Sequence, residues 1–157
     1  MSKYTREQIE AMTPEQLKRS VATDVMGLSV YHYDKDFEAN CYYMLVDGID
    51  PVAPFDGLTT GERKTEEEAW SDCPDYLNDI AAAWKVIEEM QVKGFATVLQ
   101  RLGDYFAPDD LWECQFGHMP MAKDESAQVV ICKAALLAVI QDEKKSYFHD
   151  PDDELPF

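Results

Sequence analysis

The sequence predicts an α+β domain in which two antiparallel hairpins, about four strands in all, alternate with helices. Three observations lead there. Capping signals open helical periodicity at Thr13 and at Asn78. Residues 28–46 and 95–116 are rich in β-branched and aromatic residues, and each stretch is broken by a turn. A final stretch, from Asp124 or Ser126 to about Lys144, is apolar over so wide an arc that it reads as a buried helix. With 157 residues, of which 46 % are hydrophobic, the chain can fill one sizeable core.

The elements follow in order. Thr5 with Gln8 can form a short capping-box turn, and Thr13-Pro14-Glu15-Gln16 is a stronger one, with Pro14 at the first helical position. Leu17, Val21 and Val25 make one apolar stripe. Gly27 supplies the left-handed residue that ends the helix, and Leu28 can fold back on its last turn. Leu28 to Tyr33 and Phe37 to Val46 read as strands joined by Asp34-Lys35-Asp36, and Asp47-Gly48 ends the second. Residues 47–75 read as a long loop, marked by Pro51, Pro54, Gly57, Gly61 and the acidic run Glu66-Glu67-Glu68, itself expected to be a solvated face. Asn78 is the expected cap of the next helix, with Asp79 near its positive end. Ile80, Trp84, Ile87 and Gln91 share one side of that helix, Ala83 and Met90 lie beside it, and Gly94 ends it. Phe95 to Arg101 and Leu111 to Phe116 are the second pair of strands, with a turn over Gly103 to Asp110 between them. Trp112, Cys114 and Phe116 alternate onto one face. In the last helix Val129, Cys132, Leu136 and Val139 form one stripe and Val130, Leu137 and Ile140 another. Trp84 and Trp112 are expected in the core.

Composition narrows the function. No run approaches the eighteen or so apolar residues of a membrane span, and Met1 to Glu10 has no signal-peptide core. Cys41, Cys73, Cys114 and Cys132 are scattered without a Cys-x-x-Cys pair, which favours reduced thiols in a cytoplasm over disulfides or zinc. The net charge is −17; residues 146–157 hold four acids and no Lys or Arg, so the body carries −13 of it. Such a body repels phosphate backbones, so direct nucleic-acid binding is not expected and basic partners are.

The chain divides into a body, 1–145, and an acidic tail, 146–157. The tail finishes Asp150-Pro151-Asp152-Asp153-Glu154-Leu155-Pro156-Phe157. This ending resembles the C-terminal tip of bacterial single-stranded DNA-binding proteins, in which acids lead into Ile/Leu-Pro-Phe. In a tip of this kind the Phe157 ring would enter an apolar pocket, and the adjacent α-carboxylate would pair with an Arg beside it. Pro156 pre-sets an extended backbone and Leu155 adds apolar area. Asp150, Asp152, Asp153 and Glu154 would lie along a basic ridge, with an attraction that salt weakens. The resemblance implies, as partners, host genome-maintenance proteins that carry a basic, apolar pocket for that tip.

The body carries a second resemblance. Tyr76-Leu77-Asn78-Asp79-Ile80-Ala81-Ala82-Ala83-Trp84-Lys85-Val86-Ile87 resembles the central signature of the phage ABA-sandwich domain family. Val21-Ala22 with Val25-Met26-Gly27, and Ala127 with Ile131-Cys132-Lys133-Ala134-Ala135-Leu136, are similar to that family's first and last helices. The matches span residues 13 to 141. Leu77 departs from the usual small polar residue, and residues 47–75 are longer and more acidic than the family suggests. The resemblance implies a small antiparallel sheet sandwiched between helices, a phage or prophage origin and hence the cytoplasm of an infected bacterial host. It implies no particular activity.

Other chemistries read less well. His32, His118 and His149 have no nucleophile pattern around them, and there is no Gly-x-Ser-x-Gly, Walker-type loop or His-Glu-x-x-His, so no enzyme is expected. Asp34 with Asp36, and Asp72 with Asp75 and Asp79, have the oxygen ligands a Mg²⁺ ion takes, yet such acidic turns and caps read as solvated surface. No metal or cofactor is expected. Tyr31, Tyr33, Tyr42, Tyr43, Trp70 and Tyr76 flank the first hairpin and the loop, and stacked aromatics would suit a base, giving an alternative reading as a sponge for an immune signalling nucleotide. Two further alternatives are an acidic DNA mimic and a phage single-stranded DNA-binding protein; the second lacks an interleaved basic and aromatic stretch. The sequence leaves oligomeric state open.

Overall fold

The computed structural model describes residues 4–34, 41–47, 58–59, 62–104 and 107–147. Two short helices open it, each set by a reciprocal cap. In α1 (Arg6–Glu10) the Thr5 hydroxyl accepts the Gln8 amide at 3.1 Å, and the Gln8 side chain accepts the Thr5 amide at 2.8 Å. In α2 (Pro14–Ser20) Thr13 and Gln16 repeat the arrangement at 3.2 and 3.0 Å, with Pro14 where its missing N–H costs nothing. A π-helical turn, Val21–Val25, prolongs α2 and buries Val21, Ala22 and Val25 beside Leu17. Gly27, at φ 74, then turns the chain into the first strand.

Among the described residues six strands form where about four were expected, because each hairpin gains a short third strand. β1 (Leu28–Asp34), β2 (Cys41–Asp47) and β3 (Leu58–Thr59) make one antiparallel sheet; β4 (Thr97–Asp104), β5 (Ala107–Phe116) and β6 (Ala122–Asp124) make the other. The expected start of the second strand, Phe37 to Asn40, and its Lys35-Asp36 turn lie outside the described residues. The expected 103–110 turn is replaced by pairing that continues to Asp104 opposite Ala107, with an irregularity between Leu102 and Asp104 around Gly103. A glycine at such a point accommodates the local kink.

Residues 47–75 are more than a loop. Besides β3 they contain α3 (Glu66–Trp70), capped by the Thr65 hydroxyl on the Glu68 amide at 3.1 Å. The run Glu66-Glu67-Glu68 is exposed, as expected, and is the first turn of this helix, where carboxylates oppose its positive end. Arg63 bridges to Tyr43 through two backbone hydrogen bonds of 2.7 and 2.8 Å, which ties the segment to β2.

The core collects around α5 (Ala127–Tyr147), which Ser126 caps by accepting the Val129 amide at 3.3 Å. α5 packs on β5, β6, α4 (Ile80–Val92), α1, α2 and the π-helical turn. From Val130 to Ile140 every side chain except Lys133 is buried. Leu99, Cys114, Phe116 and Ala122 meet it from the second sheet, as the alternation along 112–116 predicted, and Trp112 packs partly buried at the edge. The expected arrangement of helices against small antiparallel sheets is therefore present.

The α4 helix corrects two expectations. Its N-cap is Asp79, whose carboxylate accepts the Ala81 amide at 3.0 Å, while Asn78 donates to the Asp75 carboxylate at 3.1 Å. Its buried face is Ala82, Ala83, Val86, Ile87 and Met90, whereas Ile80 and Trp84 are 52 % and 54 % exposed. Trp84 is thus a surface residue. Gly94, at φ 98, closes the helix: its amide donates to Gln91 and that of Phe95 to Met90, both at 3.0 Å, satisfying carbonyls left over by the last turn.

Candidate functional site

The tail residues Asp150, Asp152, Asp153, Glu154, Leu155, Pro156 and Phe157 lie outside the described residues. The last described element is α5, which runs to Tyr147. His149 lies outside the described residues as well.

Tyr31, Tyr42, Tyr43, Trp70 and Tyr76 do not converge on one surface. Residues facing each other across an antiparallel pair share a sheet face, and alternate residues take opposite faces. Tyr31 opposite Met44 therefore shares one face with Tyr42, and Val30 opposite Leu45 and His32 opposite Tyr43 take the other; Tyr33 is the register partner of Tyr42. Met44 and Val46 are buried on the first face and Leu45 on the second, so both faces are partly covered. Tyr43 stacks on His32 with ring centroids 4.7 Å apart and planes 15° from parallel. Trp70 sits on α3, partly buried against the core, and Tyr76 is a core residue, only 1 % exposed. Tyr76 therefore cannot stack on a ligand at the surface, and burial raises its phenol pKa well above the ordinary value.

The acidic clusters have internal work. Asp72 takes a two-pronged hydrogen bond from Arg63 at 2.7 and 2.9 Å, Asp75 receives the Asn78 amide, and Asp79 caps α4. Asp36 lies outside the described residues. Among the described residues no three His, Cys, Asp or Glu side chains converge as a metal site.

Among the described residues Cys73, Cys114 and Cys132 are free and buried. Burial raises Cys73 to about 11 and Cys114 and Cys132 to about 12. These thiols stay protonated near neutral pH, which removes the thiolate that nucleophilic chemistry needs.

The sequence did not signal an open groove of about 480 Å³ beside the two N-terminal helices, lined by Tyr4, Gln8, Ala11, Met12, Gln16, Arg19 and Ser20. Gln8 and Gln16 are committed to their capping boxes, and Ser20 donates to the Tyr4 hydroxyl at 3.3 Å. Arg19 is engaged three ways: by Glu67 at 2.6 and 3.3 Å, by Glu15 at 3.4 Å, and by the Trp70 ring, 5.1 Å from its centroid. The hydrogen bond and charge of Glu67 raise the Arg19 pKa, and the same contact lowers that of Glu67. With its polar groups so occupied, the groove offers chiefly apolar contact. The second unforeseen surface is the outward side of α4, where Ile80, Trp84 and Val92 face solvent.

Among the described residues no helix is long and apolar enough to cross a membrane. The family model of the phage ABA sandwich domain matches residues 19–136. No curated protein and no solved structure matches the chain.

Proposed function

We propose that this chain, which belongs to the phage ABA sandwich domain family, is a non-enzymatic adaptor or inhibitor of host DNA-processing proteins. Its tail imitates the C-terminal tip of the host single-stranded DNA-binding protein, and it acts in the cytoplasm of the infected bacterium. The observation that carries this reading is the sequence Asp150-Pro151-Asp152-Asp153-Glu154-Leu155-Pro156-Phe157, in which acids lead into an apolar triplet. Phe157 is the anchor and the carboxyl group beside its ring the orienting charge. Leu155 and Pro156 pack around the anchor, and the four acids steer the tail toward a basic ridge. The remaining −13 on the body favours the basic surfaces that DNA-processing proteins present and disfavours DNA itself. Bound in this way, the protein either brings a host enzyme to phage DNA or keeps it from its own.

Capture from bacterial lysate tests the reading, with three baits compared: the full chain, the chain lacking Phe157, and the chain with one residue added after Phe157. The full chain is expected to retain genome-maintenance proteins that the other two lose, and retention should fall as salt rises. The same proteins on all three baits would overturn the tail model.

The dispersal of Tyr31, Tyr42, Tyr43, Trp70 and Tyr76 over two sheet faces, a helix and the core gives no support to the nucleotide-sponge alternative.

A further inference from the structure

We propose that the outward face of α4 is a self-association surface, on which a second copy of this chain lays its own α4 antiparallel. At about 100° per residue, Ile80, Ala81, Trp84, Lys85, Glu88, Gln91 and Val92 fall within an arc of about 140°, and all are exposed. Ile80 is 52 %, Trp84 54 % and Val92 82 % exposed, so Ile80 and Trp84 form an exposed apolar pair, with Val92 about two turns further along, where a solvated helix carries polar side chains.

The face fits a copy of itself. Ala81 and Lys85 are four residues apart, as are Glu88 and Val92, so the four form one row along the helix. When an identical row runs the opposite way, Ala81 of one copy meets Val92 of the other, and Lys85 meets Glu88. A two-fold axis makes each contact twice. Lys85 and Glu88 have no ion-pair partner among the described residues, so both charges are open to the second copy. Trp84, four residues before Glu88 and so its neighbour along the helix, flanks that cross-copy ion pair and shields it from water. The row carries one positive and one negative side chain, a neutral patch on a chain of net charge −17. A partner chosen for its basic surface finds little to read there, whereas a second copy finds its complement. One helix pair buries less than the roughly 1,000 Å² typical of durable complexes, so the dimer forms at high protein concentration. Because both copies are strongly anionic, salt that screens their long-range repulsion favours it. The inference does not depend on the tail.

Sedimentation equilibrium of the full chain across the micromolar range at about 0.15 M salt tests it. The wild-type mass is expected to rise from the 17.9 kDa monomer toward twice that value. Trp84→Ala should keep the chain monomeric throughout. Lys85→Glu and Glu88→Lys should each weaken association about tenfold or more, by placing like charges opposite each other, and the double exchange should restore it. Circular dichroism checks that each variant keeps its fold. A wild-type monomer at every concentration overturns the proposal. So does a dimer indifferent to Trp84→Ala, or a double exchange no better than the single ones.

Discussion

The helices α4 and α5 are both rich in alanine and aliphatic residues, and both start from a polar cap, yet they meet water differently. α5 is surrounded by three other helical segments, by α4 and by two strands, and its middle turns are buried almost all round. α4 has neighbours on one side only, chiefly α5, β4 and the π-helical turn, and leaves an indole and an isoleucine in solvent. Apolar content shows that a helix has something to pack against. It does not show which arc does the packing when two arcs are apolar. In α4 the large residues Ile80 and Trp84 point out, and small Ala82 and Ala83 let the backbone approach the core closely.

The sharpest way to break this comparison is to truncate one buried residue. Leu136→Ala should cost about 2–5 kcal/mol, the range for a leucine removed from a close-packed core, as read by urea unfolding; a loss under about 1 kcal/mol would mean that α5 is not enclosed as described.

Thiol chemistry probes the same enclosure. Cys132 is 0 % exposed and its pKa is pushed up to about 12 from 9.0, chiefly by burial. Disulfide reagents near pH 8 should leave it unlabelled until the chain unfolds. The raised value also fixes a sign. Its stabilising contribution is complete below the ordinary thiol value of 9.0 and is lost as pH rises from there to about 12, because only the unfolded chain ionises readily in that window. Stability should decline across that range, and less steeply in Cys132→Ala.

A smaller effect lies at acid pH. Glu67 is held below its ordinary value of 4.5 by the Arg19 guanidinium. Its contribution is present above that ordinary value and disappears as pH falls through the lowered one. Glu67→Gln should therefore flatten the acid side of a plot of Tm against pH, by a modest amount because the Glu67 carboxylate is 77 % exposed. An unchanged slope would mean that the pair does not persist in solution. Smallest of all, Trp84→Ala should change monomer stability by no more than about 0.5 kcal/mol, the counterpart of Leu136→Ala on the open side of α4.

Local signals were the legible ones. The capping boxes at Thr5 and Thr13, the helix ends at Gly27 and Gly94 and the strand alternation of Cys114 and Phe116 are each decided within a few residues, and each formed as read. What escaped depends on distant partners. β3 and β6 are two and three residues long and exist only because β2 and β5 offer an edge to pair with. The phase of α4 is set by α5. Glu66-Glu67-Glu68 is legible as a solvated run, but Thr65 as a helix cap does not stand out among the turn residues around it. The aromatic candidates illustrate the same limit, since nearness in sequence put Tyr42 and Tyr43 together and the pleat sent them to opposite faces. The groove at Met12 has no signal in the sequence, because its lining arises from how α1 and α2 lie across the junction between them.

Arg19 has a mechanical consequence. It belongs to α2, but its guanidinium grips the carboxylate of Glu67 and the ring of Trp70, both on α3. One side chain thus latches a five-residue helix, too short to persist alone, to the rigid start of the domain. Cutting that latch leaves the segment held by the Arg63–Tyr43 backbone pair and by buried Ala69, so the amides of α3 should exchange sooner while those of α5 keep their protection, and local breathing becomes separable from global melting in hydrogen exchange.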